Sequence, residues 1–310
     1  MAAKERRERK EKTAQPISLS SLRSFAARGV WNERLRSDGW PRKSAESEKR
    51  KGSSIFKNDA SMRQMPFFSG ILPIMALPLV IAHRGDSYNE LENSMAAVRR
   101  ALAYPVDMIE IDIRRSRDNS LFVMHDASTD RTAERSSTVE RSFGREIAGI
   151  HLKNGEPVPT LTDVIKAVSG KTGLNIEIKS SGAGHLLAEY LASSDYKGYV
   201  LVSSFKEEEV RAVRRMLPAL PVSMIFDMFT PKDLPVYSEQ GYKIVSLRKT
   251  TATPQLVQAC HELGIQVYVW TVDAEEEMLK FIEWKVDGIY SNRPGLLKTV
   301  VTKNCLEGKE

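Results

Sequence analysis

"MIEIDIRRSRDNSLFVMHD", residues 108–126, sets two carboxylates on alternate positions of an isoleucine-rich run, turns through a polar segment, and ends a second apolar run on His-Asp. Successive strand side chains point to opposite faces, so Ile109, Ile111 and Ile113 take one face while Glu110 and Asp112 take the other. "SRDNS" (116–120) is turn-prone, which makes "LFVMHD" (121–126) a hairpin or close extension of the first run and brings His125 back near Glu110. An ordinary half-buried strand alternates in the same way, so the stretch takes its meaning from its surroundings.

Outward from it, short β-rich runs alternate with helical stretches, the signature of parallel βα architecture. The strand candidates are "LVIAH" (79–83), "MIEIDI" (108–113), "LNIEIK" (174–179), "YVLVSS" (199–204), "PVSMIF" (221–226), "YKIVSL" (242–247), "QVYVWT" (266–271) and "GIYS" (288–291), eight in all. Amphipathic helix candidates lie between them at "NSMAAVRRALAY", "TLTDVIKAVS", "KEEEVRAVRRML", "TPQLVQACHELG" and "AEEEMLKFIEWK", with Asn93, Thr160, Thr253 and Asp273 as candidate caps. Residues 127–159 read as an irregular insertion of the kind that shapes the mouth of a barrel. An open doubly wound sheet announces a Gly-rich phosphate loop after its first strand, and none is present. The expected fold is α/β: an eight-fold (β/α)8 TIM barrel over 75–310, with a small insertion after the second strand.

Residues 1–63 hold 17 Lys/Arg against 8 Asp/Glu, which leaves 29 against 32 for the rest of the chain. The basic character therefore belongs to the leader, and a nucleic-acid-binding core is not expected. The leader, residues 1–74, shows no sustained period and reads as disordered; alternatively translation starts at Met75, where "MALPLVIAHRGD" makes a natural beginning. Met65 to Ala82 carries no charge, but Pro66, Pro73 and Pro78 argue against a regular spanning helix, so no stable membrane insertion is expected. Cys260 and Cys305 offer neither a disulfide framework nor zinc-ligand spacing, which points to a reducing, cytoplasmic setting.

"LNIEIK" repeats the alternation of the opening stretch, with Ile176 and Ile178 on one face and Glu177 and Lys179 on the other. A carboxylate inside a barrel is costly unless it is paired or binds a cation, whereas at the C-terminal mouth it can meet water, metal and substrate. Three acidic groups and a lysine converging there suit a hard cation with a phosphate above it. "LVIAHRGD" ends the first strand on His83 and Arg84, and Gly85 permits a sharp exit. Two histidines, His83 and His125, flanking such a site can divide proton transfer between nucleophile and leaving group. His151, His185 and His261 lack comparable settings and read as structural.

In order along the chain stand "HRGD" (83–86), "ENS" (92–94), "EID" (110–112), "HD" (125–126), "DRT" (130–132), "PTLTDV" (159–164), "EIK" (177–179), "WTVD" (270–273) and "VDGIYSNRP" (286–294). Each is weak alone, but in this order they resemble the glycerophosphodiester phosphodiesterases, over about Leu79 to Pro294. The resemblance implies a barrel that hydrolyses small glycerophosphodiesters to sn-glycerol 3-phosphate and an alcohol with a divalent cation, Ca²⁺ or Mg²⁺. It further implies Glu110, Asp112 and Glu177 as metal ligands, with Glu92 as a further ligand or a neighbour of the site. His83 and His125 become the acid/base pair, Arg84 and Lys179 phosphate contacts, and Trp270 an apolar wall; Asn292 and Arg293 could position substrate. It also favours the glycerol 2-hydroxyl as nucleophile, giving a cyclic phosphate that water opens. Leu91, Ser94, Ser116, Asn119 and Asp273 depart from the common pattern without removing a catalytic functional group.

Two other readings compete. A barrel cleaving intact lipids needs an exposed apolar or basic rim, which the sequence offers only in the leader. A catalytically dead barrel docked through the basic leader onto anionic lipid or nucleic acid is opposed by the retention of both histidines and all three acids.

Overall fold

The computed structural model describes residues 77–194, 196 and 198–307. The leader and the alternative start at Met75 lie outside the described residues. Strands β1 (Leu79–Ala82), β2 (Met108–Arg115), β3 (Leu121–Val123), β4 (Gly173–Ile178), β5 (Val200–Ser204), β6 (Val222–Phe226), β7 (Ile244–Arg248), β8 (Gln266–Trp270) and β9 (Gly288–Ser291) form one sheet. All neighbours pair in parallel except β3, which runs antiparallel to β2, and β1 pairs with both β9 and β2. The eight parallel strands therefore close into a barrel, with β3 appended as a hairpin as "SRDNS" implied. Asn119 takes φ +67°, a left-handed turn position that asparagine tolerates better than most residues, so it does the work of a glycine there.

The helices follow the strands: α1 (Met95–Ala101), α2 (Gly144–Ala148), α3 (Leu161–Val168), α4 (Ala183–Ser193), α5 (Glu207–Met216), α6 (Leu234–Glu239), α7 (Pro254–Glu262), α8 (Glu275–Glu283) and α9 (Pro294–Glu307). Two caps differ from the sequence reading. Ser94, not Asn93, caps α1, its hydroxyl accepting from the Ala97 N–H at 3.1 Å. Ala274, not Asp273, stands at the N-cap of α8 and makes no side-chain cap bond. Both displaced residues carry polar side chains drawn into the barrel mouth, where buried partners compete successfully for them.

The alternation in β2 sorts the chain as its period requires. Ile109, Ile111 and Ile113 join the core between sheet and helices, together with Val80, Ile176, Ile178, Val202, Val245 and Val267. Inside the barrel a separate cluster of Ile81, Met108, Leu201, Ile244, Tyr268 and Tyr290 fills the lower part. Above it, β2 and β4 are in register with Glu110 opposite Asn175 and Asp112 opposite Glu177, so all three acids rise on adjacent strands toward the C-terminal mouth. The insertion 127–159 carries a 3-10 turn and α2 over its own small core of Phe122, Met124, Val139, Ile147, Ile150 and Leu152.

Gly85 explains the tight exit from β1. It takes φ +82°, and a Cβ there would stand 2.6 Å from the backbone carbon of Ala97, so a side chain is excluded on both counts. The first helix can therefore close directly over the end of the strand.

Candidate active site

Glu110, Asp112 and Glu177 bring one carboxylate oxygen each within 4.8 Å of one another, and all three are buried. Three negative charges so close cannot coexist in a buried site without positive partners. Two cations supply part of the balance. Arg84 places its Nε 3.2 Å from Asp112 Oδ2, and Lys179 Nζ lies 2.6 Å from Glu177 Oε1 and 3.3 Å from Asp112 Oδ1. The backbone of Arg84, at φ +56°, joins in: its N–H donates to Glu110 Oε2 at 2.8 Å. A left-handed arginine is strained, and such strain at a mouth residue is held by the contacts it makes.

The balance remains incomplete. Burial, then the charges of Asp112 and Glu177, push the Glu110 carboxyl well above the usual range. Burial, then Asp112, raises Glu177 to about 7. Burial would raise Asp112 too, but Lys179, Arg84 and His125 outweigh it and hold the carboxyl at about 2. Glu110 Oε1 and Asp112 Oδ1 are buried without a hydrogen-bond partner. Orphaned acceptor oxygens on two of three converging carboxylates are what a hard divalent cation would satisfy, so the donor set fits such an ion.

Two histidines flank the acids. The His83 Nδ1 lies 2.7 Å from Asn292 Oδ1, and the His125 Nδ1 lies 2.7 Å from Asp126 Oδ1. Burial, then the Arg84 charge, lowers His83 to about 4. Burial also lowers His125, against the opposing pull of Asp112 and Asp126. Both rings line a pocket of about 240 Å³ that also receives Arg84, Glu110, Glu177, Lys179 and Trp270. Its floor is a hydrogen-bonded set of Asn175, Ser203, Ser246 and Tyr290, and its wall is Trp270 packed edge-on against Phe205 with centroids 5.6 Å apart. A larger open cleft beside Tyr88 and α9, about 620 Å³, contains none of the three acids or either histidine.

Glu92 stands apart from the three-acid cluster. Its Oε1 accepts from Arg84 Nη1 at 2.9 Å and from Arg131 Nη2 at 2.6 Å, and its Oε2 accepts from Arg131 Nη1 at 2.8 Å. Arg131 also donates from Nε to Asp126 Oδ2 at 2.7 Å, so the insertion reaches both the His125 partner and the Arg84 partner. Arg293 turns away from the pocket, its guanidinium 4.6 Å over the Tyr88 ring.

The sequence assigns no place in the site to Asn93, read there only as a helix cap, or to Asp126, Arg131 or Phe205. Asn93 donates from Nδ2 to Asp112 Oδ2 at 2.8 Å and accepts from the Asp112 N–H at 3.1 Å, fixing that carboxylate from both sides. Arg131 was visible only as the centre of "DRT", and its partner Glu92 lies 39 residues away. Phe205 follows β5 with no local signal at all.

The described residues include no helix long and apolar enough to cross a membrane. Residues 83–296 match the model of the glycerophosphoryl diester phosphodiesterase family. A glycerophosphodiester phosphodiesterase of Caldanaerobacter subterraneus is 34% identical over 240 residues, which is 73% of this chain and 98% of that protein. Among solved structures, a phosphodiesterase from Oleispira antarctica in complex with the product sn-glycerol-3-phosphate aligns with a TM-score of 0.68 at 21% identity, covering 73% of this chain and 97% of that one. A glycerophosphodiester phosphodiesterase from Agrobacterium tumefaciens aligns at 0.63 and 25% identity over 72% of this chain and all, 100%, of that one. With the ordered motifs, the closed barrel and the acid cluster at its mouth all agreeing, the chain belongs to the glycerophosphoryl diester phosphodiesterase family.

Proposed function

We propose that this pocket hydrolyses glycerophosphodiesters to sn-glycerol 3-phosphate and an alcohol, assisted by a divalent cation and two histidines. The observation that carries the reading is the buried Glu110–Asp112–Glu177 cluster with its orphaned oxygens, set between His83 and His125. The three carboxylates would hold the cation, Ca²⁺ or Mg²⁺, which supplies charge neutralisation at the phosphodiester. Arg84 and Lys179 add fixed positive charge on the same side and keep the anionic substrate in place. Glu92 acts through Arg84 and Arg131, holding both guanidiniums, and needs no place among the ligands.

Proton transfer divides by environment. His83, lowered to about 4, is neutral near pH 7 and can accept the proton of the attacking glycerol 2-hydroxyl. The oxygen then attacks phosphorus, the bond from phosphorus to the head-group oxygen breaks, and that oxygen takes a proton from His125, which enters the step as imidazolium: burial opposes that form, while the Asp112 and Asp126 carboxylates and the negative charge of the bound diester favour it. Water opens the resulting cyclic phosphate with the proton flow reversed. The Trp270–Phe205 wall shields the glycerol end from bulk water. The enzyme suits a reducing, cytoplasmic compartment, with Cys260 and Cys305 both free.

Two apolar side chains stand exposed just past the ends of their barrel strands, Phe205 at 42% and Met228 at 82%, where the sequence offers an apolar surface only in the leader. That favours, as a second reading, diesters carrying an apolar chain. A coupled glycerol 3-phosphate assay over soluble glycerophosphodiesters, run beside micellar lysophospholipid and with and without chelator, tests both. Cation-dependent release from the soluble panel supports the first reading; cleavage confined to the micellar substrate favours the second, and no release from either refutes both.

A further inference from the structure

We infer that Asp273 and Asn292 together lock His83 in a single tautomer, with its proton on Nδ1 and its lone pair on Nε2; the role this serves rests on the reading of His83 as proton acceptor. A carboxylate only accepts hydrogen bonds. Asp273 Oδ1 accepts from the Asn292 backbone N–H at 2.8 Å and from Ser291 Oγ at 3.1 Å, and Asp273 Oδ2 accepts from Asn292 Nδ2 at 2.7 Å. The amine end of the Asn292 amide is thereby committed to Asp273. Its carbonyl end, Oδ1, must then face the other way, where it meets His83 Nδ1 at 2.7 Å and Ser87 Oγ at 2.8 Å. An oxygen cannot donate, so Nδ1 carries the hydrogen and Nε2, on a ring that lines the pocket, is left unprotonated. The reverse amide would set an oxygen against the Asp273 carboxylate.

The lock has an isosteric key. In Asp273→Asn the Oδ1 position must stay an oxygen, because the Asn292 backbone N–H facing it cannot turn. The new amine then takes the place of Oδ2 and opposes the amine of Asn292. The Asn292 amide turns over, offers N–H to His83 Nδ1, and drives the ring proton to Nε2, where the ring can no longer act as a base. The reciprocal exchange, Asp273→Asn with Asn292→Asp, returns an acceptor oxygen to Nδ1 and restores the original tautomer.

The test is nitrogen-15 NMR of histidine-labelled, substrate-free full chain near neutral pH, with the His83 signals assigned by their loss in His83→Gln. Wild type is expected to show a protonated Nδ1, Asp273→Asn a protonated Nε2, and the double exchange a protonated Nδ1 again. In parallel, kcat should fall by ~10²-fold or more in Asp273→Asn with KM little changed, and recover by roughly tenfold or more in the double exchange. Should Asp273→Asn fail to fold, Asn292→Ala removes the acceptor and is expected to leave His83 as a mixture of tautomers. A protonated Nε2 in wild type, an unchanged tautomer in both single variants, or a double exchange that does not restore Nδ1–H overturns the proposal. The spectra decide the lock without substrate, so an enzyme that released no glycerol 3-phosphate would refute the reaction and leave the tautomer result standing.

Discussion

Removing the cation and raising the pH should destabilise the folded barrel through Glu177. Burial and the neighbouring Asp112 charge raise its carboxyl from the ordinary 4.5 to about 7. Between those limits the unfolded chain has lost a proton that the folded chain still holds, so stability is fully present below the lower limit and is lost as pH rises through the upper one. The side chain is 10% exposed, so solvent screening is small. At ~1.4 kcal/mol per pH unit the contribution is ~3 kcal/mol. For a domain of this size it corresponds to a Tm fall of ~6–12 °C between about pH 5 and about pH 8. Differential scanning fluorimetry in chelator, with Glu177→Gln as the comparison, isolates it, because the variant should show a flatter profile. A divalent cation at ~100 times its Kd adds ~2.7 kcal/mol, and its effect should be larger at the higher pH, where no proton has to be displaced. Equal pH profiles for wild type and Glu177→Gln, together with a cation effect independent of pH, would refute the reasoning.

Other expectations follow from the same contacts. Replacing His83 or His125 by Ala should lower kcat by ~10²–10⁴-fold, the usual worth of general acid–base catalysis, and wild-type turnover in either variant would remove it from the reaction. Arg131→Ala releases both Asp126 and Glu92, so kcat should fall and Arg84 should bind phosphate less tightly, read as a weaker inhibition constant for glycerol 3-phosphate; an unchanged constant would confine Arg131 to folding. Gly85→Ala forces a left-handed alanine into the Ala97 backbone, so chemical denaturation should show a loss greater than the ~1–2 kcal/mol of the left-handed conformation alone.

The barrel was legible because its strands carry their information locally. A period of two in "MIEIDI" and "LNIEIK" tells inside from outside whatever the rest of the chain does, and all eight parallel strands fall within two residues of the runs read from sequence. Helices with a strong polar face, such as α5 with three glutamates in its first turn, were equally plain. By contrast α4, "AGHLLAEYLAS", opens on small residues and has no side-chain cap, so it did not stand out as amphipathic. At the site, the acids, both histidines, Arg84 and Lys179 could be named because each sits within a strand or no more than two residues past its end: Glu110 and Asp112 in β2, Glu177 in β4, His83 and Arg84 after β1, His125 after β3 and Lys179 after β4. Their holders could not. Asn292 meets His83 across 209 residues, and Arg131 meets Glu92 across 39, pairings that only the closed barrel and the folded insertion create. Asn93 and Asp273 misled as caps because the same short polar side chains that suit a helix start also suit a buried carboxylate or amide.

Isothermal titration of Ca²⁺ or Mg²⁺ into chelator-stripped protein tests most directly whether acids from β2 and β4 share one ion. The expected result is a single site per chain in wild type, lost together with glycerol 3-phosphate release in Asp112→Asn. Binding of the same strength in Asp112→Asn, or turnover that persists in chelator with no binding detected, would contradict it.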